Sequence, residues 1–342
     1  MRILLRLPNW LGDAIMATAA IELLKEHFPQ ASFTIVGTPI TCGIFDRDKS
    51  ITSHFIDETK KSKSRFFATY KLAKKIGSHD IAITFTNNIF SALLLFWTKS
   101  PIRIGYRKNC RSFLLTYAPK IKKNTHQVLL YSLLLKNILK QSEEEMIEKT
   151  PKLKLITNQK SKNSHIKIGL SPGAAFGSAK RWLKEYFAQV AFNFISKGYE
   201  VILFGDKNDV EPAKEIILMI EKLSNNQEIM KNITDLSGKT TINSLIDNIN
   251  NLDLFIANDS GPMHMASALG VPLIAIFGPT DDRGSFPWKH PNSIIMNKKI
   301  PCAPCKKRDC PLTHHNCMKL ITPTEVITSA NSILSARILN EH

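Results

Sequence analysis

The chain has 342 residues, 43% of them hydrophobic, and a formal net charge of +17. Its length suits two domain cores better than one, and its composition is that of a soluble globular protein. The opening "MRILLRLPNW" does not read as a signal peptide, because Arg6 breaks the apolar run and no small-residue cleavage site follows. The most apolar short stretch, "SALLLFW" at 91–97, is far below the roughly 20 residues of a membrane span. The expectation is a cytoplasmic protein, at most peripheral to a membrane. The positive charge asks for an anionic partner such as nucleic acid, an acidic membrane face or a phosphorylated ligand, or else it serves solubility alone.

In chain order, "RILLRL" (2–7) reads as a buried strand. A helix follows over 14–27, with Ile15, Ala19, Leu23 and Leu24 at helical spacing. "SFTIVG" (32–37), "SHFID" (53–57), "DIAITF" (80–85) and "IRIGY" (102–106) are further strands, and the alternation predicts a parallel sheet covered by helices. Two basic stretches interrupt it. One is "KKSKSRFFATYKLAKK" (60–75); the other, 101–123, has seven Lys or Arg and no acid. They are solvated faces, or a cradle for an anionic acceptor or membrane. Phe66, Phe67, Tyr70 and Tyr106 lie among the basic residues, which also suits nucleic acid, although no nucleic-acid motif accompanies them.

Residues 142–165 are polar and mixed in charge and read as a linker. The alternation then restarts with "IKIGLSPG" (166–173), "EVILFG" (200–205), "DLFIANDSG" (253–261) and "PLIAIFGP" (272–279). The expected organisation is a Rossmann-like domain over 1–155, a second over 156–322, and a helix within 323–342 crossing back to the first domain.

Ligands of open parallel sheets bind beyond the carboxyl ends of the strands, and four candidate segments lie there. In "SPGAAFGSAKRW" (171–182), small residues such as Ser171 and Gly173 let backbone N–H groups approach a phosphate. Lys180 or Arg181 would neutralise it; the alternative is an ordinary strand-to-helix turn. In "NDSGPMHMASALG" (258–270), Ser260 and Gly261 stand where a helix begins and its N–H groups favour an anion. Asp259 there either caps the helix or orients a donor group, and His264 is a ligand contact or a packing residue. In "FGDKND" (204–209), Asp206 is placed for a ribose diol or lies in a solvated loop. Last, Asn9, Trp10, Leu11, Gly12 and Asp13 form a loop on the other domain. Asp13 caps a helix, or its carboxylate takes a proton from an acceptor hydroxyl attacking a sugar carbon.

Taken in this order, "LPNWLGDAIMATAAI", "SPGAAFGSAKRW", "NDSGPMHMASALGVPLIAIFGPT" and the late "CAPCKKRDCPLTHHNCM" (302–318) resemble the bacterial ADP-heptose:lipopolysaccharide heptosyltransferases of glycosyltransferase family 9. The "PNWLGD" opening and the cysteine-rich tail are similar to heptosyltransferase II more than to heptosyltransferase I. The resemblance implies an α/β GT-B fold, two Rossmann-like doubly wound domains facing across a cleft. It implies inverting transfer of L-glycero-D-manno-heptose from ADP-heptose to the first heptose of the inner core, heptosyl-Kdo2-lipid A. By motif, Asp13 is the general base and Lys180 contacts the donor pyrophosphate. Ser171, Gly173, Asp259, Ser260, Gly261 and His264 line the donor site, Asp206 meets the ribose, and Asn9, Trp10 and Gly12 meet the acceptor. The implied protein is a monomer with no cofactor, acting on a lipid A-core acceptor at the cytoplasmic face of the inner membrane.

Cys302, Cys305, Cys310 and Cys317, with His314 and His315 among them, suggest a zinc or redox site or a cysteine-rich loop without metal. The inferred reaction requires no metal, and no DxD-type acid pair stands out, though Asp281 and Asp282 keep a clamp open. The competing readings are another family member such as heptosyltransferase I, acting on a different core acceptor, and a basic nucleic-acid-binding protein of two α/β domains. A nucleotide-dependent dehydrogenase is disfavoured by the absence of GxGxxG.

Overall fold

The computed structural model describes residues 1–158, 160, 165–224 and 226–340. The chain forms two compact units, Met1–Ile156 and Thr157–His342.

The first unit contains β1 (Arg2–Arg6), β2 (Ser32–Gly37), β3 (Ile51–Ile56), β4 (Ile81–Thr84) and β5 (Ile102–Ile104), in the order β3-β2-β1-β4-β5. Every pair is parallel, with Leu4 opposite Thr34 on one side and Ala82 on the other. β1 and β4 are central, and Ile3, Leu4, Leu5, Ala82 and Ile83 are fully buried. That is why these strands read as unbroken apolar runs: helices cover both faces of a parallel sheet.

The helix expected over 14–27 is two helices, Leu11–Met16 and Thr18–His27. The Thr18 hydroxyl donates to the Ile15 carbonyl at 2.6 Å; such back-bonding bends a helix. The linker expected over 142–165 is corrected in its first part. Glu143–Lys149 is a helix, opened by a capping box in which the Ser142 hydroxyl accepts from Glu145 N–H and the Glu145 carboxylate accepts from Ser142 N–H. Its Met146 is fully buried, so the first unit gains a packed helix where composition suggested a tether. Residues 159 and 161–164 of that stretch lie outside the described residues.

The second unit holds β6 (Lys167–Ser171), β7 (Glu200–Leu203), β8 (Ile233–Asp235), β9 (Leu254–Asn258), β10 (Leu273–Ile276) and β11 (Ser293–Met296), in the order β11-β10-β9-β6-β7-β8, again all parallel. The sequence reading missed both outer strands. β8 has three residues and β11 four, and half-buried outer strands carry a weaker apolar signal. The core gathers Trp182, Phe187 and Phe194 with Ile256 and Ile276. The helix Pro323–Asn340, expected to cross back to the first domain, contributes Val326, Ala330 and Leu334 to this second core.

Strand order reverses between β1 and β4 in the first sheet and between β6 and β9 in the second. At such switch points the connections leave in opposite directions and open a crevice at the carboxyl ends. Three of the four candidate segments begin there: 9–13 after β1, 171–182 after β6 and 258–270 after β9.

Candidate functional site

In the first unit, Asp13 occupies the third position of the helix Leu11–Met16, whose N-cap is Trp10 in an extended conformation. Asp13 therefore does not cap this helix. A carboxylate in a first turn is still favoured by the helix dipole. Asp13 is half-buried, and the Tyr131 hydroxyl donates to its Oδ1 over a long 3.4 Å. Burial pushes the Tyr131 hydroxyl well above its ordinary pKa, and the neighbouring Asp13 charge adds to the shift. Tyr131 thus stays a proton donor to Asp13 across the working pH range. No local pattern pointed to it, since 118 residues separate the two.

The residues before Asp13 divide by role. Asn9 is held in place, its Oδ1 accepting from Arg6 Nη2 at 2.9 Å. Trp10 is 54% exposed, an uncovered indole three residues from the carboxylate. Arg6 itself is buried at the end of β1 and pairs with Asp57 at 2.7 Å. Burial raises the Asp57 carboxyl, but Arg6 and the Thr59 hydroxyl and N–H outweigh it, so the group lies below the usual carboxylate range.

In the second unit, Asn258 organises the loop after β6. It is fully buried, its Nδ2 donates to the Pro172 carbonyl at 2.7 Å and its Oδ1 accepts from Trp182 N–H at 3.0 Å. The two sequence motifs are thereby joined by one side chain at the switch point. Ser171 ends β6 and is buried. Gly173 is required by contact: a Cβ there would lie 2.2 Å from Asp209 Oδ2.

The sequence offered two cations for a phosphate, and the structure separates them. Arg181 turns to Asp209, Nη2 to Oδ1 at 3.4 Å. Lys180 reaches Asp259, Nζ to Oδ2 at 2.5 Å, with side-chain exposures of 13% and 6%. The Thr280 hydroxyl donates to the same Asp259 oxygen at 2.6 Å. Asp259 therefore pairs with Lys180 and does not cap the following helix. That helix, Gly261–Leu269, has Ser260 as its N-cap with no side-chain cap bond, and the Ser260 Oγ is buried without a hydrogen-bond partner among the described residues. Its first-turn N–H groups remain available to an anion. His264 is buried one turn in. Phe176 lies beneath Lys180 at 5.4 Å and Arg308 at 5.7 Å.

Asp206 follows β7 and is exposed. Its Oδ1 accepts from Asn208 N–H at 2.6 Å, and its own N–H donates to Asp209 Oδ2. The buried acid of this loop is Asp209, whose carboxyl burial pushes up. Asp281 caps a short helix and pairs with Arg283 at 2.9 Å, and Asp282 Oδ1 accepts from the Arg283 N–H at 3.1 Å.

The cysteine-rich segment has a role that its spacing did not suggest. All six cysteines are free thiols. Cys302 Sγ lies 3.9 Å from His314 Nε2, and among the described residues no group of three or more His, Cys, Asp or Glu is arranged to hold a metal ion. The segment instead braces the loop that carries Lys180. The Arg308 carbonyl accepts from Ala179 N–H at 2.9 Å, His315 Nε2 donates to the Ala179 carbonyl at 2.9 Å, and the Ser178 hydroxyl donates to Asp309 at 2.6 Å. Gly177 is needed for this approach, since a Cβ there would meet the Arg308 carbonyl at 2.4 Å. Burial, with Cys302, Cys305 and Cys310 adding to it, raises the Cys317 thiol to about 11.

Comparisons with known proteins place the whole chain in a family. The glycosyltransferase family 9 (heptosyltransferase) profile matches residues 69–316. The chain is 37% identical to lipooligosaccharide heptosyltransferase 2 of Campylobacter jejuni, over 98% of each chain. It is 27% identical to lipopolysaccharide heptosyltransferase 2 of Escherichia coli, over 98% of this chain and 99% of that one. The solved structure of the E. coli ADP-heptose LPS heptosyltransferase II superposes with a TM-score of 0.83 at 26% identity, covering 98% of this chain and 99% of that one. Two doubly wound α/β units, with candidate anion-binding loops at their switch points, are the architecture expected of the GT-B class. The chain belongs to glycosyltransferase family 9, the heptosyltransferases.

Proposed function

We propose that this glycosyltransferase acts as a heptosyltransferase II, moving L-glycero-D-manno-heptose from ADP-heptose to the first heptose of the lipopolysaccharide inner core. The observation that carries this reading is the buried Lys180–Asp259 pair beside the open N-terminus of Gly261–Leu269, in a chain whose near-full-length relatives are heptosyltransferases 2.

The chemistry needs a base for the acceptor hydroxyl and positive charge for the departing diphosphate. Asp13 supplies the base. As the hydroxyl oxygen bonds to the anomeric carbon, its proton passes to the Asp13 carboxylate, and the bond from that carbon to the ADP β-phosphate oxygen breaks with inversion. Tyr131 holds the carboxylate by donating to Oδ1. Lys180 and the N–H groups after Ser260 stabilise the leaving diphosphate, in the manner of fixed donors aimed at developing charge. Ser171, Gly173, Gly261 and His264 shape that pocket, and Asp206 reaches the ribose through its second carboxylate oxygen. Asn9, Trp10 and Gly12 meet the acceptor. No metal or other cofactor is part of this scheme. The enzyme acts as a peripheral monomer at the cytoplasmic face of the inner membrane, where its lipid-anchored acceptor lies. No helix among the described residues is long and apolar enough to cross a membrane.

The test is transfer from ADP-heptose to heptosyl-Kdo2-lipid A and to Kdo2-lipid A, with wild type and Asp13→Ala side by side. Transfer to the heptosylated acceptor alone is expected, falling about 10²–10⁴-fold in the variant, as for loss of a general base, with donor binding kept. Preference for Kdo2-lipid A would move the chain to heptosyltransferase I. Full activity in the variant would remove Asp13 from the chemistry.

A further inference from the structure

The chain's charge is concentrated in one stretch. Between Glu58 and Glu143 there are seventeen Lys or Arg and one acid, Asp80. Set against a total of +17, this stretch holds nearly the whole excess, and the remainder is close to neutral. Asp80 is at the start of β4, bonded to the Arg2 backbone N–H.

Within that stretch the helix Arg65–Ile76 is built inside out. Its buried positions are Thr69, Ala73 and Ile76, while Phe66, Phe67 and Tyr70 point outward at 51%, 65% and 40% exposure. Exposed Lys71, Lys74 and Lys75 continue the same face toward the helix C-terminus. The aromatic rings are fixed. Phe66 and Tyr70 both pack edge-on against Trp97 of the helix Ile89–Trp97, at 4.8 and 5.6 Å. Phe96, 45% exposed, extends the patch beneath Arg103. Solvation alone does not account for three outward aromatics on a helix whose buried face is small.

We propose that this face docks the protein directly on an anionic lipid bilayer, without help from the acceptor. Aromatic side chains rest at the level of the headgroups and glycerol backbone, where their apolar rings leave water. Lysines beside them gain from the negative surface potential of an acidic leaflet. The face offers both, rings held rigid at the centre and cations around them, with no carboxylate on either helix to oppose the approach. The proposal rests on the heptosyltransferase reading only for its purpose, which is to bring the enzyme to a lipid-anchored acceptor.

The experiment is co-sedimentation of the full chain with phosphatidylcholine vesicles, with and without phosphatidylglycerol. Binding is expected only to the doped vesicles and is released by high salt. A surface lysine contributes about fivefold to such binding, so Lys71→Glu with Lys75→Glu weakens it by at least roughly 25-fold. Phe67→Ser, at the most exposed ring of the cluster, weakens it while leaving the salt dependence in place. The exposed pair Lys222→Glu with Lys319→Glu, in the second unit, makes the same charge change and leaves binding near wild type. Each variant is checked for an unchanged thermal transition. Equal binding to neutral vesicles, equal loss in both charge-reversed pairs, or preference for single-stranded RNA over doped vesicles would overturn the proposal. Vesicle binding as expected, together with no heptose transfer to any acceptor, would sink the functional reading and leave the docking surface standing.

Discussion

Lys180 and Asp259 are 79 positions apart and nearly buried, yet they form a single charged unit. In the scheme proposed above, Lys180 stabilises the leaving diphosphate and Asp259 holds Lys180. Lys180→Ala should lower kcat/KM about 10²–10³-fold, the scale of losing one donor to a developing oxyanion. Asp259→Asn keeps the lysine but frees it, so kcat should fall less than in Lys180→Ala, and the double variant should fall well short of the product of the two effects. Asp259→Asn should also cost about 3–5 kcal/mol of stability, because a nearly buried ammonium loses its partner. Steady-state kinetics on the three variants, with urea unfolding, checks this. An Asp259→Asn enzyme with wild-type kcat would deny Asp259 its positioning role. At the same scale, Asp57 sets an acid limit. Its folded-state pKa is lowered by Arg6 and Thr59, so the stability it supplies is full above the ordinary carboxylate value of about 3.9. That stability is lost as pH falls through the lowered folded value. Asp57→Asn should therefore be less stable than wild type at neutral pH, with the gap closing in strong acid; chemical denaturation at several pH values reads it.

At the scale of elements, two loops depend on partners distant in sequence. Arg111 is fully buried, and among the described residues its hydrogen bonds go to carbonyl, hydroxyl and amide oxygens. It donates to the carbonyls of Thr86, Asn88 and Tyr106, to Ser91 Oγ and to Asn87 Oδ1. That network ties the 106–111 turn to the start of the helix Ile89–Trp97, and burial lowers the guanidinium to about 10. The loop carrying Lys180 is held similarly, by the cysteine-rich segment through Arg308, Asp309 and His315. Asp309→Ala with His315→Ala should raise the KM for ADP-heptose severalfold with a smaller change in kcat, since the loop loosens while Lys180 keeps Asp259. An unchanged KM in a folded double variant would show the segment to be mere packing. The "SEEE" cap at 142–145 was readable in the sequence as a helix start, but polar composition around it dominated and suggested a linker. The cysteine spacing left a metal site and a metal-free loop both open, because it says nothing of the contacts seen here, which run through the Arg308 and Ala179 carbonyls and His315.

For the whole molecule, charge and fold are distributed unevenly. The first unit carries the excess of cations and the outward aromatic face; the second carries the loops suited to a diphosphate. The strands of the first sheet, the four inner strands of the second, the glycine-rich turns after them and the order of the motifs were legible, whereas the short outer strands β8 and β11 were not. Each legible feature is set locally, by unbroken apolar runs where a strand is buried on both faces, by the 3.6-residue period of helices and by glycine where a Cβ finds no room. The asymmetry of charge was equally plain, since it needs only counting. Tyr131 beside Asp13, Lys180 turned to Asp259 while Arg181 turns to Asp209, and the cysteine-rich segment lying on the donor loop were not legible. Each joins segments distant along the chain or chooses between adjacent side chains, and the choice follows from strand order and packing. The sequence by itself therefore determined most of the elements and which residue types stand at their ends. Only the tertiary structure decided which of those residues meet, because the order of parallel strands is fixed by burial of the whole sheet and leaves no local period to read.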